Sequence, residues 1–140
     1  MSSAKRYSET VYNSVISETG HAMERLFVEI LTEKLGVELI DRQDVNSYSD
    51  DKFAIAKSTD EEDTEKGVDF WFYNKESKKW IGIDFTTSNE LKYRGKDRKV
   101  DGIDVYALKI GRYDLILAAQ GGENYINKVV AALNEIIVRS

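Results

Sequence analysis

The chain has 140 residues, 41% of them hydrophobic and 15 aromatic, with 20 Lys and Arg, 25 Asp and Glu, one His and no Cys or Pro. That length fits one domain spanning 1–140, and the apolar content suffices for a packed core, which excludes wholesale disorder. Without cysteine there are no disulfides or thiolate sites, so any metal would be held mainly by oxygen and would be a hard cation such as Mg²⁺, Mn²⁺ or Ca²⁺ rather than zinc.

No apolar run approaches the roughly 18 residues of a membrane span, and the polar start MSSAKRYSET has no hydrophobic signal region; a cytoplasmic protein with no membrane partner is expected. The net charge of −5 speaks against a nucleic-acid partner, yet the charge is unevenly spread. Between Asp41 and Asp69 there are ten acids against four bases, and between Phe85 and Arg112 seven bases against four acids. The second stretch either lines a phosphate-contacting face or is solvated surface.

Apolar residues recur at three- and four-residue spacing from Val11 to Leu35, which predicts a helix over about 9–35, interrupted at Gly20 and stopped by Gly36. Residues 37–42 and 52–57 are β-compatible, and the polar stretches NSYSDD and STDEEDTEKG read as loops. The acidic run from Asp60 to Glu65 is taken as a solvated connection. VDFWFY (68–73) and WIGIDFT (80–86) have strand composition and are separated by a polar hexapeptide, which predicts a hairpin. SNELKYRGKDRK (88–99) accommodates a short helix with Ser88 as N-cap. Residues 103–110 and 113–119 read as two further strands around Gly111-Arg112, and the stripe from Tyr125 to Ile137 as a closing helix.

If the hairpin loop is symmetric, Phe72 faces Ile81, Phe70 faces Ile83 and Asp69 faces Asp84. This register puts Val68, Phe70, Phe72, Ile81, Ile83 and Phe85 on one apolar face, and a one-residue slip would scramble it. Asp69, Asp84 and Thr86 then share the other face. Two opposed carboxylates repel unless something compensates, and a divalent cation does so. Otherwise the register differs, or each Asp is solvated at a strand end. Trp71 and Tyr73 on that face either stack on bases or pack beneath a covering element.

The segments GHAMERLFVEIL, GVDFWF and IGIDFTTS, in this order, resemble the PD-(D/E)XK nuclease superfamily, in particular its Holliday-junction-resolvase-type and phage endonuclease branches. The likeness covers roughly residues 18–119 and rests on short motifs whose combination carries the specificity. It implies an α/β fold with a restriction-endonuclease-like mixed central sheet flanked by helices. It also implies metal-dependent endonuclease activity on DNA, with Mg²⁺ or Mn²⁺ held by Asp69, Asp84 and Glu24. The pattern departs at one position: where the family carries lysine, this chain has Thr86, which can hydrogen-bond a nucleophile but carries no charge. Lys92 is the first candidate for a relocated lysine, with Lys96 and Lys99 as fallbacks.

Arg94, Lys96, Arg98 and Lys99 are the expected DNA-backbone contacts. His21 lies one turn before Glu24 and is either a contact to the same site or plain surface. Proteins of this kind commonly dimerise to address two strands, so the resemblance admits a homodimer. The alternatives are a catalytically inert nuclease-fold module that binds nucleic acid or a protein partner, and an acidic protein-interaction domain.

Overall fold

The computed structural model of the chain describes residues 21–87 and 98–140. The first helix, α1, is described over 21–34; it is α-helical to residue 29 and finishes as a π-helical turn, Ile30–Lys34. Its stripe of Met23, Phe27, Ile30 and Leu31 is buried, as the periodicity predicts. It stops before Gly36, whose φ of +70° favours glycine. The part predicted before residue 21 lies outside the described residues.

Beyond α1 come β1 (Glu38–Leu39), a 3₁₀ turn (Arg42–Ser47), β2 (Ala54–Lys57), α2 (Asp60–Lys66), β3 (Phe70–Asn74) and β4 (Lys79–Thr86). They are followed by β5 (Arg98–Val100), β6 (Ile103–Lys109), α3 (Arg112–Ala119) and α4 (Glu123–Arg139). The strands form one six-stranded mixed sheet in the order β1-β2-β3-β4-β6-β5. β3 runs antiparallel to both β2 and β4, β4 runs parallel to β6, and β5 returns antiparallel along the edge. The molecule is thus mixed α/β, a six-stranded sheet flanked by helices. No helix among the described residues is long and apolar enough to cross a membrane.

Each face of the sheet has its own core. On the first, α1, α3 and α4 cover Phe70, Phe72, Ile81, Ile83 and Phe85. The second is smaller and gathers Val45, Ala56, Val68, Trp71 and Val105. The hairpin register is the one the apolar pattern selects, with Phe70 opposite Ile83, Trp71 opposite Gly82 and Phe72 opposite Ile81. Its loop is shorter than expected, because Asn74 and Lys79 also pair. Gly82 suits its place in the second core: a Cβ there would come within 2.8 Å of Val105 Cγ2 and 3.3 Å of Val68 Cγ1.

Two expectations give way. Tyr113–Ala119 is not a strand but most of α3, capped by Gly111 and burying Leu115 and Ala118 at helical spacing. A seven-residue apolar run carries too little periodicity to separate the two states, and packing on α4 decides. The acidic run is a helix rather than a loop. Thr59 accepts a hydrogen bond from Glu62 N–H while the Glu62 carboxylate accepts from Thr59 N–H, a capping box that starts α2, and Gly67 closes it at φ +69°. Arg98–Val100 forms β5; the short helix expected with Ser88 as its N-cap lies outside the described residues.

Candidate functional site

At the entry to β3 the pairing changes. Asp69 N–H donates to Ile83 O at 2.8 Å, although Ile83 is already the partner of Phe70. Asp69 and Phe70 therefore both oppose Ile83, a β-bulge at the start of β3, which re-aims the side chain it carries. Val68 consequently packs in the second core and not beside Phe70 as strict alternation requires. The Asp69 carboxylate accepts the Phe85 N–H at 2.7 Å, in the place of a main-chain carbonyl. A side chain thus extends the ladder.

Two further acids meet it there. Glu24 is carried by α1, whose Phe27 stacks on Phe85 with ring centroids 4.6 Å apart and touches Phe70 at 5.4 Å. This packing turns Glu24, one helical turn earlier, inward to 7% exposure. Asp63 comes from α2. Carboxylate oxygens of Glu24, Asp63 and Asp69 lie within 4.8 Å of one another. Asp63 was hidden by its own charge run, and the Thr59-x-x-Glu62 capping pattern was the available signal that this run is ordered.

What fixes α2 is Glu62. Its carboxylate accepts from Arg42 Nη2 at 2.7 Å, from Arg42 Nε at 3.0 Å and from the Trp71 indole N–H at 3.0 Å, while the Arg42 guanidinium lies 5.1 Å from the Trp71 ring centroid. Trp71 is buried packing on this face, not an exposed stacking platform. Burial works to raise the Glu62 pKa, but the bonds from Arg42, Thr59 and Trp71 outweigh it and hold the carboxyl at about 2.

A folded value below the ordinary 4.5 means that the stabilisation is complete above about pH 4.5 and is lost as pH falls toward 2. We expect Glu62→Gln to cost about 2 kcal/mol at neutral pH, since hydrogen bonds to a charged group are involved. Urea unfolding of wild type and variant at pH 7 and at pH 2.5 checks this: the gap between them should narrow at the lower pH.

The acidic cluster has the opposite electrostatics. Burial pushes the Asp69 carboxyl up to about 9, helped by a hydrogen bond with Asp63 and by the charges of Glu24 and Asp63, against the Phe85 N–H. Glu24 is also raised, by burial and then by the charge of Asp63, while Lys57, His21 and a hydrogen bond with Asp69 oppose the rise. Among the described residues, Glu24 Oε1 and Ser58 Oγ are buried and meet no hydrogen-bond partner. Three carboxylates with oxygens this close together, one of them a buried oxygen without a partner, could hold a hard divalent cation.

The remaining expected site residues fall around this cluster. Asp84, at 5% exposure, is outside the 4.8 Å group. It occupies β4 opposite Ala107 of β6, and its Oδ2 lies 3.9 Å from Arg98 Nη2. Arg98 also donates to Gly67 O at 2.9 Å, which ties β5 to the end of α2. Thr86 ends β4 opposite Lys109, and its carbonyl accepts the Ile110 N–H. Lys99 is exposed and pairs with Asp104 at 3.1 Å. His21 Nδ1 is 4.0 Å from Glu24 Oε1, with the imidazole largely in solvent. Lys92, Arg94 and Lys96 lie outside the described residues. Comparison of the chain with family models, with curated proteins and with solved structures gives no match.

Proposed function

We propose that the chain is a metal-dependent endonuclease that hydrolyses DNA phosphodiester bonds on a restriction-endonuclease-like scaffold. The observation that carries this reading is the meeting of Glu24, Asp63 and Asp69 at the end of a β-hairpin, next to a strand bearing Asp84 and Thr86. Glu24, Asp63 and Asp69 would hold Mg²⁺ or Mn²⁺, with Asp84 at the margin of the set. A cation there supplies charge to polarise the scissile phosphate and to acidify water.

In the reaction, the oxygen of water bonds to phosphorus and the P–O bond to one sugar breaks. One water proton ends on the departing sugar oxygen, and the other leaves with the phosphate monoester or passes to solvent. The Thr86 hydroxyl would orient the water without changing charge. Arg98 and Lys99, with Lys92, Arg94 and Lys96, would contact the DNA backbone, and a pair of copies would address two strands.

A second reading, a catalytically inert module of the same fold that binds nucleic acid or a protein partner, is favoured by Thr86 standing where the resembled motif carries lysine. The two part in a cleavage assay. With Mg²⁺ or Mn²⁺, wild type is expected to cut branched, duplex or single-stranded DNA, and Asp69→Asn and Asp84→Ala to lose on the order of 10²-fold or more of the rate. Binding without cleavage by wild type on all three substrates supports the inert module and rejects the nuclease.

A further inference from the structure

Charge balance at the cluster leaves something missing. Three ionised carboxylates around a divalent cation sum to one negative charge, and a phosphodiester brings another, so the pair repels unless a cation stands on the substrate side. Thr86 carries none. Lys57 is placed to supply it. It is the last residue of β2 and pairs in register with Phe70, directly after Asp69. It borders a cavity of about 220 Å³ with Glu24, Arg25, Val28, Leu39 and Phe70.

Its neighbour Ser58 donates its N–H to Asp69 O at 3.1 Å, which fixes the end of β2 against the bulge. Among the described residues Lys57 makes no ion pair within 4.0 Å, unlike Arg42, Lys66, Lys99 and Lys128, and its positive charge is felt at Glu24.

We propose that Lys57 contacts the substrate phosphate at the mouth of the Glu24–Asp63–Asp69 cluster and supplies the positive charge that Thr86 lacks. The substrate's being a phosphodiester rests on the nuclease reading above. Lys57 enters no bond and transfers no proton; its ammonium offsets the charge that builds on the phosphate oxygens as water adds. A lysine is suited to this as a compact point charge on a flexible stem. Lys92, expected as the relocated lysine, follows β4 in the sequence, whereas the pairing of β2 with β3 brings Lys57 beside Phe70 from the acidic stretch.

The test uses the full chain as wild type, Lys57→Ala, Lys57→Arg and Lys92→Ala. Mg²⁺ binding and inorganic phosphate binding at saturating Mg²⁺ are measured by calorimetry, and DNA cleavage is followed under the same conditions. Lys57→Ala should bind Mg²⁺ at least as well as wild type, weaken phosphate binding about tenfold and slow kcat on the order of 10²-fold; Lys57→Arg should recover most of the phosphate binding. The proposal is overturned if phosphate binding by Lys57→Ala equals that of wild type, if Lys92→Ala alone loses it, or if wild type binds no phosphate. Should wild type bind phosphate through Lys57 yet cleave no DNA, the Lys57 assignment stands and the nuclease reading fails.

Discussion

Asp69→Asn is expected to stabilise the fold and at the same time to remove cation binding. The folded carboxyl titrates at about 9 against an ordinary 3.8. A carboxyl raised on folding favours the native state fully below its unfolded value and progressively less as pH climbs through the interval to its folded value. Wild type should therefore lose stability between about pH 4 and pH 9, because the buried acid must keep a proton that the unfolded chain releases. Asparagine has no proton to keep. Its carbonyl oxygen can still accept the Phe85 N–H, and its amide can donate to Asp63.

The gain at pH 7 is on the order of 3 kcal/mol, with a correspondingly flatter pH profile. Thermal unfolding from pH 5 to pH 9 reads the slope, and the same scan with added Mg²⁺ or Mn²⁺ should raise the midpoint of wild type but not of the variant. Equal slopes for the two proteins would show that Asp69 is not the group storing this cost. Loss of function accompanied by a gain in stability is what a site assembled at the expense of the fold produces.

Phe27→Ala should have the larger effect on folding. Phe27 is fully buried and lies against Phe70 and Phe85, the two residues that flank the Asp69 contact. Removing the ring forfeits its burial and leaves a cavity, at a cost of about 3–5 kcal/mol. Thermal denaturation should show the midpoint fall by about 10 °C or more. Phe27→Leu, closer in volume, should lose less than half of that. Since the same packing turns Glu24 toward the hairpin, the alanine variant should also bind Mg²⁺ more weakly at temperatures where it remains folded. Unchanged affinity would separate the orientation of Glu24 from the aromatic contact.

Some of this organisation is legible in the sequence because it obeys a single period. The stripe of Met23, Phe27, Ile30 and Leu31 declares a helix, and the alternation around Phe70, Phe72, Ile81 and Ile83 declares both the hairpin and its register. Regular alternation also misleads at Val68, where one extra residue breaks the period and moves the side chain into the second core. α3 is lost for a different reason: LILAA suits a buried strand as well as a buried helix, and only α4 settles the choice.

Glu24 and Asp69 could be singled out from local motifs, whereas Asp63 reaches the cluster, and Lys57 the cavity beside Glu24, through tertiary packing. The Arg42–Glu62–Trp71 contact and the pairing of β2 with β3 join residues that no local pattern connects.

The three acids arise from three independent supports: α1 on one side of the sheet, α2 anchored to Trp71 of the other, and a kink in the strand between them. An ion bound to all three would act as a rivet through the layers. Amide hydrogen exchange in α2, a seven-residue helix with no buried residue of its own, would then slow together with exchange in α1, although the two helices share no core.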